Sequence, residues 1–288
     1  MKDAAQTIDL VECPRDAMQG WERMIPTKDK IRYINKLLEV GFHTIDFGSF
    51  VSPKAIPQMA DTKEVLKGLR LKSDETKLLA IVANKRGAEE AGVFEEITYL
   101  GFPFSVSPTF QKRNTNSTIE QSLETVKIIC DICAATNKQP VIYISMAFGN
   151  PYDDRYEKEI VLHWIDQLVK SGITIISLAD TVGVANHKQI LTLVKAVKES
   201  YHTIETGVHL HSTLKNWREK LEAAYTAGAT RFDGALKGIG GCPMANDELV
   251  GNMDSSLMIN YFLQKELLPD LNQKALRESL AIADEIFS

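Results

Sequence analysis

Two histidines spaced as His209-Leu210-His211 are the residues whose types and spacing point most directly to chemistry. In an extended segment alternate side chains share a face, so both imidazoles project the same way and can grip one divalent ion. The same spacing also serves structural pairs, so the metal reading needs further ligands from elsewhere in the chain. Arg15-Asp16 is the candidate, in a tight Pro14-Arg15-Asp16 turn after the apolar run Ile8-Asp9-Leu10-Val11. Cys242 is a third candidate. It lies in Gly238-Ile239-Gly240-Gly241-Cys242-Pro243, where three glycines free the backbone and no helical apolar stripe claims the thiol. A plain surface thiol is the alternative there. Cys130-Asp131-Ile132-Cys133 has the spacing of a redox pair, yet with Leu123, Val126 and Ile129 these thiols repeat at helical period, which reads as core packing.

The elements that must position these groups alternate between strand-like apolar runs and amphipathic helices. Strands are expected to begin at Ile8, Phe42, Lys77, Glu96, Pro140, Ile173, Glu205 and Thr230. The first helix is bounded by Pro26-Thr27 and Gly41, with Ile31, Ile34, Leu37 and Leu38 as its apolar face. A later one opens on Ser117-x-x-Glu120, a capping-box pattern, and Gly172 and Gly228 stand where left-handed helix stops are expected. Eight such units predict an α/β fold, a closed (β/α)8 TIM barrel with extra C-terminal helices, filling residues 1–288 as a single catalytic domain. An open doubly wound sheet would alternate similarly. No Gly-x-Gly-x-x-Gly follows the first strand, however, so the usual nucleotide site of that fold lacks its signature.

A barrel turns position into chemistry, because the carboxyl ends of its strands face one mouth. Arg15 and Asp16 follow the first strand, Asp46 ends the second and Asn84 follows the third. Tyr143 and Ser145 lie on the fifth, Ser177 and Asp180 finish the sixth, His209 and His211 end the seventh, and Cys242 follows the eighth.

Composition narrows the function classes. With 44% hydrophobic and 25% charged residues the chain can bury a sizeable core, and a formal charge of −5 without a basic run argues against a nucleic-acid surface. Four irregularly spaced cysteines form no disulfide framework, and no apolar stretch approaches a membrane span. The expectation is a cytoplasmic enzyme without membrane or nucleic-acid partners.

Taken together, Glu12-Cys13-Pro14-Arg15-Asp16-Ala17-Met18-Gln19, Ser49-Phe50-Val51-Ser52-Pro53-Lys54, Asp180-Thr181-Val182-Gly183, the histidine pair and Gly240-Gly241-Cys242-Pro243 resemble 3-hydroxy-3-methylglutaryl-CoA lyase, within the metal-dependent barrel lyases and Claisen-type synthases. The resemblance implies cleavage of that acyl-CoA to acetyl-CoA and acetoacetate, the chemistry of leucine catabolism and ketone-body formation. It implies a divalent ion, Mg²⁺ or Mn²⁺ with Zn²⁺ as an alternative, on Asp16, His209, His211 and Asn252. It implies charge stabilisation by Arg15, proton exchange by Cys242, acid/base candidates in Asp180 and His209, and a pocket lined by Gln19, Asp46, Asn114, Tyr143, Ser177 and Thr181. Asn84 and Ser145 join the substrate-binding candidates from their places at the barrel mouth.

The chain departs from the better-known family pattern in four places. The first loop is one residue shorter, Asp46 replaces a glutamate, Ser212 stands where an aspartate usually follows, and Cys242 to Asn252 spans ten residues rather than nine. These suggest a divergent branch whose acyl-CoA preference has shifted. The competing readings are a Claisen synthase joining acetyl-CoA to a 2-oxo acid on the same barrel, a Schiff-base aldolase using Lys54, and a non-enzymatic protein in which the ion only ties strands together. The oligomeric state is not legible in the sequence; a homodimer in which the segment with Leu257, Tyr261 and Phe262 covers a neighbour is one option.

Overall fold

A computed structural model describes residues 7–72, 76–241 and 250–288. Eight parallel strands close on themselves in sequence order: β1 (Asp9–Glu12), β2 (Thr44–Ser49), β3 (Lys77–Ile81), β4 (Ile97–Ser105), β5 (Gln139–Ser145), β6 (Ile175–Ala179), β7 (Glu205–His209) and β8 (Arg231–Gly234). Closure pairs β1 with β8, Val11 opposite Asp233. Each strand starts within two residues of its expected position. Helices follow them: α1 (Pro14–Gln19) and α2 (Thr27–Leu38) after β1, α3 (Thr62–Lys67) after β2, α4 (Lys85–Gly92), then α5 (Pro108–Thr115) and α6 (Ile119–Ala135), α7 (Lys158–Lys170), α8 (His187–Ser200), α9 (Trp217–Thr226), α10 (Ser255–Gln264) and α11 (Gln273–Ile286).

Alternation along each strand sends one set of side chains out against the helices and the other into the barrel. The outer set forms the large core with the helix faces. Inside sits a smaller cluster of Leu79, Tyr99, Val141, Tyr143 and Ile175. The inner layers also hold Arg231 and Asp233, both buried. That polar axis leads up to the mouth where the candidate residues gather.

Three local expectations are corrected. Pro14-Arg15-Asp16 is the first turn of α1 rather than a bare turn, because proline at the opening position has its φ preset for a helix and needs no amide partner. The capping box of α6 lies one residue later, on Thr118 and Gln121, while Ser117 bonds the Ser122 and Thr115 hydroxyls. On α2 the expected face of Ile31, Ile34, Leu37 and Leu38 packs against the core but is wider than expected, taking in Tyr33 and Lys30, whose ammonium reaches Asp61 Oδ1 at 2.7 Å and the Gln58 carbonyl. Gly172 and Gly228 do take left-handed φ, +91° and +95°. Cys133 is buried on α6 with Val126 and Ile129, as the helical stripe predicts.

After the barrel, α11 packs against α2, joined by Arg32–Glu285 and Lys36–Glu278 ion pairs and by Phe287 edge-on to Trp21 and Tyr33. Tyr261 and Phe262 turn inward, Phe262 against Phe232 and Tyr225. These two side chains cover their own barrel, while Leu257 is half-buried. Among the described residues no helix is long and apolar enough to cross a membrane.

Candidate active site

Asp16, His209 and His211 converge at the barrel mouth, with a donor atom from each lying within 4.8 Å of the others. His209 is the last residue of β7, and His211 continues as an isolated bridge to Asn252, which brings the stretch after β8 across the mouth. Asp16 is held by three donors. Its Oδ1 accepts from Arg15 Nη1 at 2.9 Å and from Gln19 Nε2 at 2.8 Å, and its Oδ2 accepts from Asn252 Nδ2 at 2.7 Å. Burial alone would raise the Asp16 carboxyl, but Arg15, His209 and the Asn252 amide outweigh it and hold it below its usual range.

The donor set fits a divalent cation. The Asn252 amide nitrogen is committed to Asp16 and to the Ile239 carbonyl, while its Oδ1 is buried with no hydrogen-bond partner among the described residues. A buried carbonyl oxygen without a donor is costly, and a cation is what such an oxygen can take. His211, pushed down to about 4 by burial and by neighbouring His209, is neutral at physiological pH, the ligating form.

Beside this group, Arg15 donates from both Nε (3.0 Å) and Nη2 (2.5 Å) to Asp46 Oδ2. Asp46 sits third of six residues in β2 rather than at its end, below a register shift between Asp46 and Gly48. That depth lets the shorter carboxylate meet Arg15 inside the barrel. Burial moves Asp46 up to about 6 despite the guanidinium, and its Oδ1 has no partner among the described residues. Among the described residues Tyr143 Oη and Ser177 Oγ are likewise buried without partners, and the Tyr143 ring stands edge-on to His209 at 6.0 Å. Thr181 accepts the Met146 amide at 2.8 Å, tying the β5 and β6 loops, and Ser145 is buried at the end of β5.

Other candidates are placed differently. Asp180 is engaged by Lys220 Nζ at 2.7 Å and by the Ala185 amide at 3.0 Å, and the same ammonium reaches the His211 carbonyl at 2.8 Å. Its carboxylate thus fixes the β6 loop to β7. Asn84 is exposed and caps α4 by accepting from Gly87, and Asn114 is exposed on α5. Neither is drawn into the cluster. Cys242 lies outside the described residues.

A family model described as HMGL-like matches residues 8–282. The chain belongs to the HMGL-like family. It is 34% identical to a hydroxymethylglutaryl-CoA lyase of Bacillus subtilis over 81% of this chain and 77% of that protein. It is 33% identical to a 3-hydroxy-3-isohexenylglutaryl-CoA/hydroxymethylglutaryl-CoA lyase of Pseudomonas aeruginosa over 86% and 82%. A solved HMG-CoA lyase from Acinetobacter baumannii, in complex with coenzyme A and 3-methylmalate, superposes with a TM-score of 0.90 at 30% identity, covering 100% of this chain and 93% of that one. The carboxyl transferase domain of Rhizobium etli pyruvate carboxylase, at 18% identity and TM-score 0.74, shares the fold.

Four residues of this HMGL-like barrel escape the sequence reading of the site: Asp233, Arg231, Lys220 and Glu12. Glu12 points out of the barrel, where its carboxyl meets the Leu236 amide at 2.9 Å and Ser255 Oγ at 2.5 Å, binding the two backbone stems that flank residues 242–249. Burial raises it from 4.5 to about 8. The folded state therefore holds a proton that the unfolded chain has released above about pH 4.3, and stability falls as pH rises through about 8. Glu12→Gln keeps one acceptor and one donor but removes the titration. Relative to wild type, the variant is expected to gain Tm between pH 6 and pH 9 by about 3 °C or more, read by thermal shift. A difference that is flat across this range would show that Glu12 does not titrate there.

Proposed function

We propose that this protein is a divalent-metal-dependent carbon–carbon lyase that cleaves 3-hydroxy-3-methylglutaryl-CoA to acetyl-CoA and acetoacetate. The observation that carries the reading is the convergence of Asp16, His209 and His211 with the unpartnered Asn252 Oδ1, beside the buried Arg15 guanidinium. The lyases of Bacillus subtilis and Pseudomonas aeruginosa support the same reaction class. Oxygen and imidazole donors suit Mg²⁺ or Mn²⁺. When bound, the cation supplies Lewis acidity to the substrate hydroxyl and an adjacent carbonyl oxygen.

The reaction moves one proton. The tertiary hydroxyl loses its proton, its oxygen becomes the ketone of acetoacetate as the adjoining C–C bond breaks, and the electron pair left on carbon forms the thioester enolate. Protonation of that carbon gives acetyl-CoA. Arg15 places a permanent positive charge where the thioester oxygen becomes negative, and it is preorganised by Asp46 and Asp16 rather than by solvent. The hydroxyls of Tyr143 and Ser177, unpartnered among the described residues, offer bonds to substrate oxygens. We assign proton exchange to Cys242, as the resemblance of Gly240-Gly241-Cys242-Pro243 to the lyase segment implies.

The test is a cleavage assay on purified, chelator-treated protein with Mg²⁺ or Mn²⁺ restored. Acetyl-CoA and acetoacetate in equal amounts, formed only with metal, are the expected result. Consumption of acetyl-CoA with a 2-oxo acid and no cleavage would transfer the protein to the condensing branch. In the same assay, Cys242→Ser is expected to bind substrate with little change in KM and to lose at least about 10²-fold in kcat, in the range that a positioned acid or base contributes. Full kcat in that variant would remove the thiol from the mechanism.

A further inference from the structure

Asp233 is a buried acidic group whose two carboxylate oxygens are both unsatisfied among the described residues. Its side chain is 0% exposed. A buried carboxylate without donors is strongly disfavoured, so its environment must supply one. His209 Nδ1, itself buried without a hydrogen-bond partner among the described residues, stands 3.4 Å from Asp233 Oδ2. On the other side, Arg231 Nε lies 3.9 Å from Asp233 Oδ1. Arg231 is completely buried, with its guanidinium 5.3 Å from the Tyr99 ring centroid and 3.5 Å from Glu205. Room for its stem comes from the neighbouring strand, since a Cβ on Gly207 would lie 3.1–3.3 Å from three Arg231 side-chain carbons. A charged column thus climbs the barrel axis from Glu205 through Arg231 and Asp233 to His209.

We propose that Asp233 is the positioning residue for His209: it accepts the Nδ1 proton, fixes the ring, and presents a deprotonated Nε2 toward Asp16 and His211. The inference rests on the metal reading above. An imidazole ligates through one nitrogen, and the partner of the other nitrogen decides which tautomer and which ring angle the ligand adopts. The 3.4 Å separation is about 0.4 Å beyond a usual N–H···O bond, so a small ring rotation completes the contact. Arg231 faces Asp233 from below, with Nε 3.9 Å from Oδ1. Cys13, which also falls within 4.8 Å of His209 and Asp233, offers an alternative in which Nδ1 faces a second ion instead of a proton. The Cys13 thiol instead donates to the Val11 carbonyl at 3.8 Å, and the hydrogen-bonded arrangement is favoured.

The experiment uses full-length protein and two readouts that do not depend on turnover. Mn²⁺ titration followed by EPR is expected to show binding weakened about 10- to 100-fold in Asp233→Asn, the range for loss of such a partner. In ¹⁵N-histidine NMR of metal-free protein, the His209 signal, identified by its loss in His209→Gln, is expected as the Nδ1–H tautomer in wild type and as a mixture in Asp233→Asn. Thermal melts confirm that the variant is folded, and Asp233→Glu serves if it is not, with the displaced carboxylate expected to weaken Mn²⁺ binding as well. Wild-type protein that binds no Mn²⁺ would overturn the metal reading, whereas equal binding by folded wild type and variant would overturn only the role of Asp233. An Nε2–H tautomer in wild type would also overturn it. So would a thiolate-to-metal charge-transfer band with Co²⁺ that disappears in Cys13→Ser.

Discussion

Asp16→Ala protein is expected to lose Mn²⁺ affinity by more than about 100-fold and to cleave 3-hydroxy-3-methylglutaryl-CoA at less than about 10⁻³ of the wild-type rate. The change removes the carboxylate that meets His209 and His211, so its effect should exceed the roughly 10- to 100-fold that a supporting partner costs. A thousandfold loss corresponds to about 4 kcal/mol of barrier. Three donors, from Arg15, Gln19 and Asn252, also lose their acceptor, so a lower Tm is expected. Asp16→Asn separates the two effects because it retains an acceptor but not the charge. If Asp16→Asn bound Mn²⁺ as wild type does, the ligand assignment would fail.

Arg15→Lys is expected to lower kcat by about 10²- to 10³-fold while leaving Mn²⁺ affinity within a few-fold of wild type. Charge is conserved in this substitution. What disappears is the planar fork that places Nε and Nη2 on Asp46 while Nη1 holds Asp16. Because the proposed role is to stabilise charge that develops only as the bond breaks, kcat and kcat/KM should fall together. A rise in KM at constant kcat would make Arg15 a substrate-binding group instead.

The barrel is legible in the chain because eight apolar runs alternate with amphipathic helices, and the capped or glycine-stopped helix ends fix their phase. The convergence of Asp16, His209 and His211 is legible for the same reason, since all three stand at strand exits. What escapes is the interior. Arg231-Phe232-Asp233 reads as an ordinary half-exposed strand with polar residues toward water, yet in a closed barrel the second face is the inside, and those charges are its contents. Lys220 similarly looks like a solvated lysine in Arg218-Glu219-Lys220, and only the fold brings it under Asp180 and the His211 carbonyl. Asp46 looks like a strand terminus because the register shift that follows it leaves no mark in residue type. Asn84 and Asn114 show the reverse error: adjacency to a strand end in the chain does not ensure that a side chain faces the mouth.

Closure by pairing β1 with β8 has a further consequence. The proposed cation would draw Asp16 from just after β1, the histidines from β7 and the residue beyond it, and Asn252 from beyond β8, and so would straddle the seam where β1 and β8 meet. A nascent chain emerging from the ribosome would carry no working centre until its final strand had zipped into place. Once loaded, the ion would act as a rivet across that seam, and amide exchange should slow more along β1 and β8 than along β4 and β5.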